Sequence, residues 1–121
     1  MDVRGLVWVG TRTDELARTV GFFRDVMGLG VLADPGDVTV LSVPDGSTVE
    51  VFGPESPWNA HLVSPVAGFL VGDLAEAERE LREAGIEIVL PRSGGEERVW
   101  LHFRAPDGHV YELVEDHPSP A

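Results

Sequence analysis

The sequence predicts an α+β fold built from two tandem modules, each with the element order strand, helix, strand, strand, strand. Two observations lead to this prediction. The tripeptide Pro-Asp-Gly occupies residues 44–46 and again residues 106–108, so the two turns lie 62 residues apart. An amphipathic helical pattern that ends at a glycine precedes each turn. Self-similarity at a fixed spacing indicates a repeated structural unit.

The first module is predicted over about residues 4–53. A short β-branched strand at 5–9 is followed by a helix with Thr13 as its N-cap and Gly28 after its last turn. Strands follow at 29–33, 38–43 and 48–52, separated by turns at 34–37 and 44–46. Apolar residues at helical spacing predict the buried stripe of the helix: Leu16, Val20, Phe22, Phe23, Val26 and Met27.

A linker over about residues 53–63, rich in proline and glycine, leads to the second module over about residues 64–115. A strand at 66–71 precedes a helix. Asp73 and Glu76 form a capping box at the start of this helix, and Gly85 ends it. A strand at 86–90, a loop at 91–97 and a final hairpin follow, and residues 116–121 are expected to fray. The helix should bury one stripe: Leu74, Ala77, Leu81 and Ala84.

The final hairpin is the stretch most suggestive of a binding site. If residues 105–109 form its loop, Arg104 pairs with Val110 and His102 pairs with Glu112. Opposed side chains point to the same face of a hairpin. One face is then apolar and suits a core: Val99, Leu101, Phe103, Tyr111 and Leu113. The other face mixes aromatic, charged and β-branched residues, which is typical of a pocket wall: Trp100, His102, Arg104, Val110, Glu112 and Val114.

Composition excludes several functions. The chain has 121 residues, enough for one domain with a proper core. It contains no cysteine, and all nine basic residues are arginine, which excludes thiolate metal sites, disulfides and Schiff-base lysines. The net charge of −12 argues against binding to nucleic acid or to anionic membranes. With no apolar run of membrane-spanning length, the sequence predicts a soluble, cytoplasmic protein.

Two segments resemble the vicinal oxygen chelate superfamily, also called the glyoxalase, bleomycin resistance and extradiol dioxygenase group. These are Phe-Phe-Arg-Asp-Val-Met-Gly-Leu at 22–29 and Ala-Pro-Asp-Gly-His-Val-Tyr-Glu-Leu at 105–113. The resemblance implies two modules whose mixed sheets curl around a shared cavity with the helices outside. It also implies a homodimer. In metalloenzyme members, a histidine on the first strand and a glutamate on the last strand of a module hold a divalent ion.

The metal-ligand pattern is incomplete in this sequence. Glu50 and Glu112 match the two glutamate positions, but the two histidine positions fall on Trp8 and Val66, which cannot ligate a metal. We therefore predict no cofactor and loss of the usual metal site. An alternative is that His102 supplies a nitrogen ligand. A set of Glu50, His102 and Glu112 would suit manganese or iron.

Two functions remain open. The favoured one is a small-molecule-binding protein similar to the bleomycin resistance branch, which would confer antibiotic resistance by holding an aromatic or cationic ligand without the usual metal. The alternative is a lyase, isomerase or dioxygenase-like enzyme that uses Glu50, His102 and Glu112 as metal ligands or acid–base groups. Trp58 is predicted to cover the pocket or contact a partner subunit, and His61 to be solvated. The predicted ligand-binding residues are Trp8, Glu50, Phe52, Trp100, His102, Arg104 and Glu112.

Overall fold

The computed structural model describes residues 1–117. The described chain contains eight strands, two α-helices and one π-helical turn. The strands are β1 Val3–Arg12, β2 Gly30–Ala33, β3 Val38–Ser42, β4 Thr48–Phe52, β5 Val66–Val71, β6 Glu87–Gly94, β7 Arg98–Arg104 and β8 Val110–Asp116. The helices are α1 Leu16–Gly21, the π-helical turn Phe22–Val26 and α2 Leu74–Glu83. This composition confirms the predicted α+β class.

The chain divides into two compact units. The first unit comprises Val7–Val66, and the second comprises Met1–Leu6 together with the chain from Ala67 onward. The linker therefore belongs to the first unit, and β1 contributes to both. The prediction that the modules form one domain around a shared cavity stays a prediction.

The first unit has the strand order β2-β3-β4-β1. β3 is antiparallel to β2 and β4, whereas β1 runs parallel to β4. A parallel pair needs a crossover connection, and α1 with the π-helical turn lies on that connection. The core of this unit is apolar and consists of Val20, Leu29, Leu41, Val49 and Val51, against which Leu16, Phe23 and Val43 pack.

The first helix differs from its predicted form. It begins at Leu16, with Glu15 as its N-cap, so the prediction that Thr13 is the N-cap was wrong. Gly28 ends the helical segment as predicted, with φ of +76°. Between these ends, the Met27 N–H donates to the Phe22 carbonyl at 3.1 Å, five residues earlier. Such a π-helical bond widens the turn and shifts the side chains that follow it around the helix axis.

This shift explains an error in the predicted buried stripe. Val20 is buried, and Leu16 and Phe23 pack on the core. Three residues predicted to be buried are instead exposed: Phe22 (51% exposed), Val26 (73%) and Met27 (53%).

The second unit repeats the arrangement, with the strand order β5-β8-β7-β6. β5 runs parallel to β8, and the other neighbours are antiparallel. Its core consists of Val71, Leu74, Ala77, Leu101 and Leu113, with five partly buried side chains around it: Phe69, Leu81, Ile88, Val99 and Phe103. The predicted core face of the final hairpin packs here, although Val99, Phe103 and Tyr111 stay partly exposed.

The second helix begins as predicted. The Asp73 carboxylate accepts the Glu76 N–H at 3.0 Å, and Gly85 follows the last turn with φ of +77°. Ala84, however, is exposed, so its predicted place in the buried stripe was wrong.

The strand β6 is longer than predicted, because it continues through Pro91 to Gly94 where a loop was expected. Proline cannot donate to a ladder, but β6 is the outer strand of this unit and its register shifts between Leu90 and Ser93. An edge strand with a bulge tolerates proline.

Hydrogen bonds in the two Pro-Asp-Gly turns confirm the internal repeat. The Gly46 N–H donates to the Val43 carbonyl at 2.9 Å, and the Gly108 N–H donates to the Ala105 carbonyl at the same distance. Residues 105–109 form the hairpin loop, as predicted, because the Ala105 N–H bonds to the His109 carbonyl.

At the end of the described chain, β8 extends to Asp116, and the His117 N–H donates to the Glu97 carbonyl at 2.8 Å. The predicted frayed tail was therefore wrong for residues 116 and 117, and its remainder lies outside the described residues. Neither α-helix between residues 1 and 117 has the length and apolar character needed to span a membrane.

Candidate functional site

The hairpin β7–β8 carries a buried pair of titratable side chains. His102 lies directly opposite Glu112 in the antiparallel register, as predicted. His102 Nε2 and Glu112 Oε2 are 3.2 Å apart, within hydrogen-bonding distance. His102 is 0% exposed and Glu112 is 8% exposed. With the carboxylate ionised, the ring nitrogen that faces it carries the hydrogen.

Two buried apolar side chains lie on the same hairpin face as this pair. Val110 and Val114 belong to the same face of the hairpin and are buried, so five of the six residues on the predicted pocket wall are shielded from solvent at least in part. A buried imidazole and carboxylate cost stability unless they satisfy each other or a ligand. An imidazole beside a carboxylate can donate a hydrogen bond, bind a cation or exchange a proton.

The other two residues predicted on this wall have different environments. The Trp100 ring is half-buried and packs against the strand end of β6, where a Cβ on Gly94 would lie 2.9 Å from the ring. Arg104 is exposed, and its guanidinium donates to the Gly108 carbonyl at 2.9 Å and pairs with Glu87 at 3.5 Å. Arg104 therefore braces the hairpin turn at the protein surface.

The same turn is fixed by Asp107. The backbone N–H of His109 and the phenolic O–H of Tyr111 both donate to its carboxylate, at 2.9 Å and 2.8 Å. These hydrogen bonds lower the pKa of Asp107 below its ordinary value, and the hydrogen bond from Tyr111 to Asp107 raises the pKa of the phenol. The turn next to the His102–Glu112 pair is thus held by side chains as well as by its backbone.

In the first unit, Glu50 is also paired with a predicted site residue. The Trp8 indole Nε1–H donates to the Glu50 carboxylate. Gly10 lies opposite Glu50 in the parallel register of β1 and β4, and a Cβ at Gly10 would meet the Trp8 ring at 2.4 Å. The ring therefore lies across the glycine to reach the carboxylate. In the second unit the equivalent position opposite Glu112 is also a glycine, Gly68.

Arg12 is a residue that the sequence did not single out. Its guanidinium donates to five backbone carbonyls in the linker, at 2.8–3.1 Å: Gly53, Ser56, Trp58, Asn59 and Leu62. The guanidinium also lies over the Phe52 ring, 5.4 Å from its centroid, and Phe52 is buried. The sequence contained no signal for this role, because Arg12 and the carbonyls that it binds are 41–50 residues apart in the chain.

The linker has a defined conformation as a result. Trp58 is 60% exposed, and its predicted role in covering the pocket or contacting a partner subunit stays a prediction. His61, predicted to be solvated, is half-buried instead.

The second unit also has an open cavity of about 480 Å³ next to the N-terminus of α2. Glu115 and His117 line it, 3.0 Å apart, and the Glu115 carboxylate accepts the Leu74 N–H at 2.6 Å. The carboxylate therefore caps the helix. This contact could not be predicted from the sequence, because Glu115 and Leu74 are 41 residues apart in the chain.

Comparison with known proteins identifies the family. The model of the Glyoxalase/Bleomycin resistance protein/Dioxygenase superfamily matches residues 5–113. The chain belongs to this superfamily. A search of curated proteins found no match.

Solved structures of the same superfamily have the same fold. A member from Vibrio splendidus 12B01 is 21% identical, with a TM-score of 0.69 over 95% of this chain and 99% of that one. Methylmalonyl-CoA epimerase from Mycobacterium tuberculosis is 24% identical, with a TM-score of 0.71 over 96% and 90%. A variant of homoprotocatechuate 2,3-dioxygenase from B.fuscum is 18% identical, with a TM-score of 0.75 over 97% of this chain and 33% of that one.

The side chains do not match the metal site that resemblance to this superfamily implies. The two positions expected to hold histidine are Trp8 and Val66, which are 5% and 3% exposed and offer no metal-binding atom. The carboxylate of Glu50 accepts a hydrogen bond from an indole. No group of three His, Cys, Asp or Glu side chains suited to a metal ion occurs between residues 1 and 117.

Proposed function

We propose that this superfamily member is a small-molecule-binding protein that holds an aromatic or cationic ligand without the usual metal. The observation that carries the proposal is the buried pair of His102 and Glu112, whose facing atoms are 3.2 Å apart on a hairpin face that also carries the buried Val110 and Val114. Such a pair offers a carboxylate for a cationic group and an imidazole for stacking or hydrogen bonding.

One carboxylate in each module supports a cationic ligand. Glu50 is bonded by Trp8 and Glu112 faces His102. A cationic ligand near either carboxylate would be stabilised by charge pairing. The aromatic side chains predicted to bind the ligand offer ring faces for cation–π contact. The net charge of −12 also attracts a cationic ligand over long range. That the residues of both modules share one cavity stays a prediction.

A thermal-shift experiment tests binding. Each compound in a panel of cationic aromatic antibiotics is added at a range of concentrations, and the melting temperature is measured. A ligand that binds the folded chain at 100 times its Kd stabilises it by about 2.7 kcal/mol. We expect Glu112→Gln to weaken binding at least about tenfold, because hydrogen bonds to charged groups contribute about 1.5–3 kcal/mol.

The matched control for this experiment is Glu87→Gln. Glu87 is an exposed carboxylate on the neighbouring strand β6, so the substitution removes the same charge outside the buried pair. The control should bind the ligand with unchanged Kd. If no compound in the panel raises the melting temperature, or if both variants lose affinity equally, the proposal is wrong.

Metal analysis tests the metal-free part of the proposal. The protein is purified without chelator or affinity tag, and its manganese, iron and zinc contents are measured against protein concentration. We expect much less than one metal ion per protein chain. Stoichiometric metal that disappears in Glu112→Gln would instead favour the alternative ligand set of Glu50, His102 and Glu112.

The second candidate is an enzyme that moves a proton, and the same buried pair favours it. An imidazole that holds a carboxylate in place is an arrangement suited to general acid–base catalysis. Methylmalonyl-CoA epimerase, one of the similar structures, is an enzyme whose name denotes inversion at a carbon. Glu112 would remove the proton next to a carbonyl to leave an enolate, and the protonated Glu112 would return a proton to the same carbon to restore the carbonyl compound.

Deuterium exchange distinguishes the candidates. Carbonyl compounds with an acidic C–H are incubated with the protein in heavy water, and deuterium incorporation is followed by mass spectrometry. Exchange that requires Glu112 supports the enzyme. A ligand that binds and is recovered unchanged and unlabelled supports the binding protein.

A further inference from the structure

The guanidinium of Arg12 is enclosed by its own chain in the first unit. All five of its N–H groups donate to backbone carbonyls, at 2.8–3.1 Å. One face of the group lies over the Phe52 ring, 5.4 Å from the ring centroid. The acceptors are neutral, so they select a planar set of N–H donors by geometry and not by charge pairing. We call the surrounding groups the Arg12 site; they are the Phe52 ring and the carbonyls of Gly53, Ser56, Trp58, Asn59 and Leu62.

The carbonyls of this site lie on two turns of the linker. Each turn is closed by a backbone hydrogen bond: the Ser56 N–H donates to the Gly53 carbonyl at 3.2 Å, and the Leu62 N–H donates to the Asn59 carbonyl at 2.8 Å. Ser56 and Leu62 are buried. Because Arg12 takes no part in these bonds, the turns can form around a guanidinium that is not attached to the chain.

Asn59 links the backbone of the linker to the group in the site. Its φ is +51°, a left-handed conformation that few residues other than glycine adopt. Its carbonyl accepts N–H groups from both Arg12 and Leu62, at 3.0 Å and 2.8 Å. A backbone in a sparsely populated conformation persists where its surroundings fix it. The hydrogen bond from the guanidinium therefore helps to hold this turn in place.

The Arg12 site lies on the face that carries the predicted ligand-binding residues of the first unit. In the parallel register of β1 and β4, Arg12 lies opposite Phe52, and two residues earlier Gly10 lies opposite Glu50. Alternate residues of a strand point to the same face, and the Trp8 indole crosses that face to the Glu50 carboxylate. Because Phe52 is only 2% exposed, a ligand can reach its ring only if a covering group moves. The guanidinium is such a group, and it already makes the contact expected of a cationic ligand.

We propose that the Arg12 site is a binding site for a planar nitrogen cation, such as a guanidinium or amidinium group, and that Arg12 occupies it until a ligand takes its place. The displaced guanidinium would release the linker from the end of β1. The inference rests on the proposed function for its class of ligand, but it concerns a different contact from the pair of His102 and Glu112.

Chemical rescue of Arg12→Ala tests the site with methylguanidinium as the probe. The substitution leaves the ring and the carbonyls in place and removes the group that they surround. Methylguanidinium should raise the melting temperature of this variant along a saturable curve, by roughly 3 °C at about three times its Kd. It should also slow amide hydrogen exchange across residues 53–62. The wild-type chain should show neither effect, because Arg12 occupies its site.

Two controls separate rescue from general effects of salt and of arginine loss. Tetramethylammonium chloride at the same concentration screens charge equally but has no N–H groups, so it should not rescue Arg12→Ala. Arg98→Ala removes a guanidinium that pairs with Asp116 at the surface, and methylguanidinium should not stabilise this variant. The inference is overturned if methylguanidinium fails to stabilise Arg12→Ala, or if it stabilises Arg98→Ala or the wild type equally.

Arg12→Lys tests the requirement for a planar group and keeps the inference falsifiable if Arg12→Ala does not fold. Lysine retains the charge and most of the stem, but its ammonium has three donors and no planar face. We expect faster hydrogen exchange across residues 53–62 than in the wild type. Exchange at the wild-type rate would show that any cation suffices and would overturn the inference.

Benzamidinium, an aromatic amidinium, tests displacement of Arg12. Calorimetric titration should show at least about tenfold tighter binding to Arg12→Ala than to the wild type, because the wild-type chain must first release its own guanidinium. Loss of a binding group would have the opposite sign. Binding that is equal in these two chains and lost in Glu112→Gln would support the proposed function and overturn this inference. Failure to bind Arg12→Ala would also overturn it, while the antibiotic panel would still decide the proposed function.

Discussion

Gly10 lets the Trp8 ring reach Glu50. The ring lies over the glycine, and a Cβ there would come within 2.4 Å of the ring. We expect Gly10→Ala to displace the indole and to break its hydrogen bond to the carboxylate. Overpacking in a buried site usually costs about 1–3 kcal/mol. Urea denaturation should show a loss of this size, with a change in tryptophan fluorescence.

Gly21→Ala is the matched control for this prediction. Gly21 lies in α1, where the nearest atoms to an added Cβ are 3.9 Å away, an ordinary contact. Alanine favours the helix over glycine by about 0.5–1 kcal/mol, so this variant should be more stable than the wild type. If both variants destabilise the chain equally, the effect is not specific to the contact between Gly10 and Trp8.

Single residues of the site could be predicted in part. Strand alternation and the turn position were enough to place His102 opposite Glu112, because register in a hairpin follows from loop length. The partner of Glu50 could not be predicted in this way. The indole of Trp8 reaches Glu50 across Gly10, which has no side chain to block it. This contact depends on the orientation of the Trp8 ring, and the periodicity of the sequence does not specify that orientation.

The linker is an element organised by one side chain. Arg12 donates to five of its carbonyls, so all the N–H groups of the guanidinium have acceptors. Methionine keeps much of the apolar stem and none of the donors. We expect Arg12→Met to lower the free energy of unfolding by about 2–4 kcal/mol, because several carbonyls lose a charged donor at once. Amide hydrogen exchange should accelerate across residues 53–62.

Arg98→Met provides the comparison. Arg98 also bonds through its guanidinium, to Asp116 at 2.6 Å, but this is an ion pair on the surface. Surface pairs contribute about 0–1 kcal/mol, so the loss should be small and exchange across 53–62 should not change. Equal losses in both variants would contradict a special role for Arg12.

Elements differ in how well the sequence predicted them. α2 was placed closely, because a capping box, a terminal glycine and a regular 3.6-residue pattern agree. The first helix was placed less closely, because it continues into a π-helical turn that the residue types do not predict. The predicted β6 ended before Pro91, whereas the strand continues to Gly94. Proline usually interrupts strands, but it is tolerated here because β6 is an edge strand.

At the scale of the whole molecule, the acidic charge opposes compaction. A net charge of −12 on 121 residues creates self-repulsion that is stronger in the compact state than in the unfolded chain. Added sodium chloride screens this repulsion. We expect the free energy of unfolding to rise by roughly 1–2 kcal/mol between low ionic strength and about 0.5 M salt, a range over which the screening length falls below 5 Å. Urea denaturation at low protein concentration measures it.

A charge variant separates screening from other effects of salt. Glu55→Lys with Glu96→Lys changes two exposed acids and brings the net charge from −12 to −8, since each replacement adds two positive charges. The double variant should be more stable than the wild type at low ionic strength and should gain less from salt, because less repulsion remains to be screened. An equal gain in both chains would mean that salt acts through preferential exclusion from the protein surface instead of through the chain's own charge.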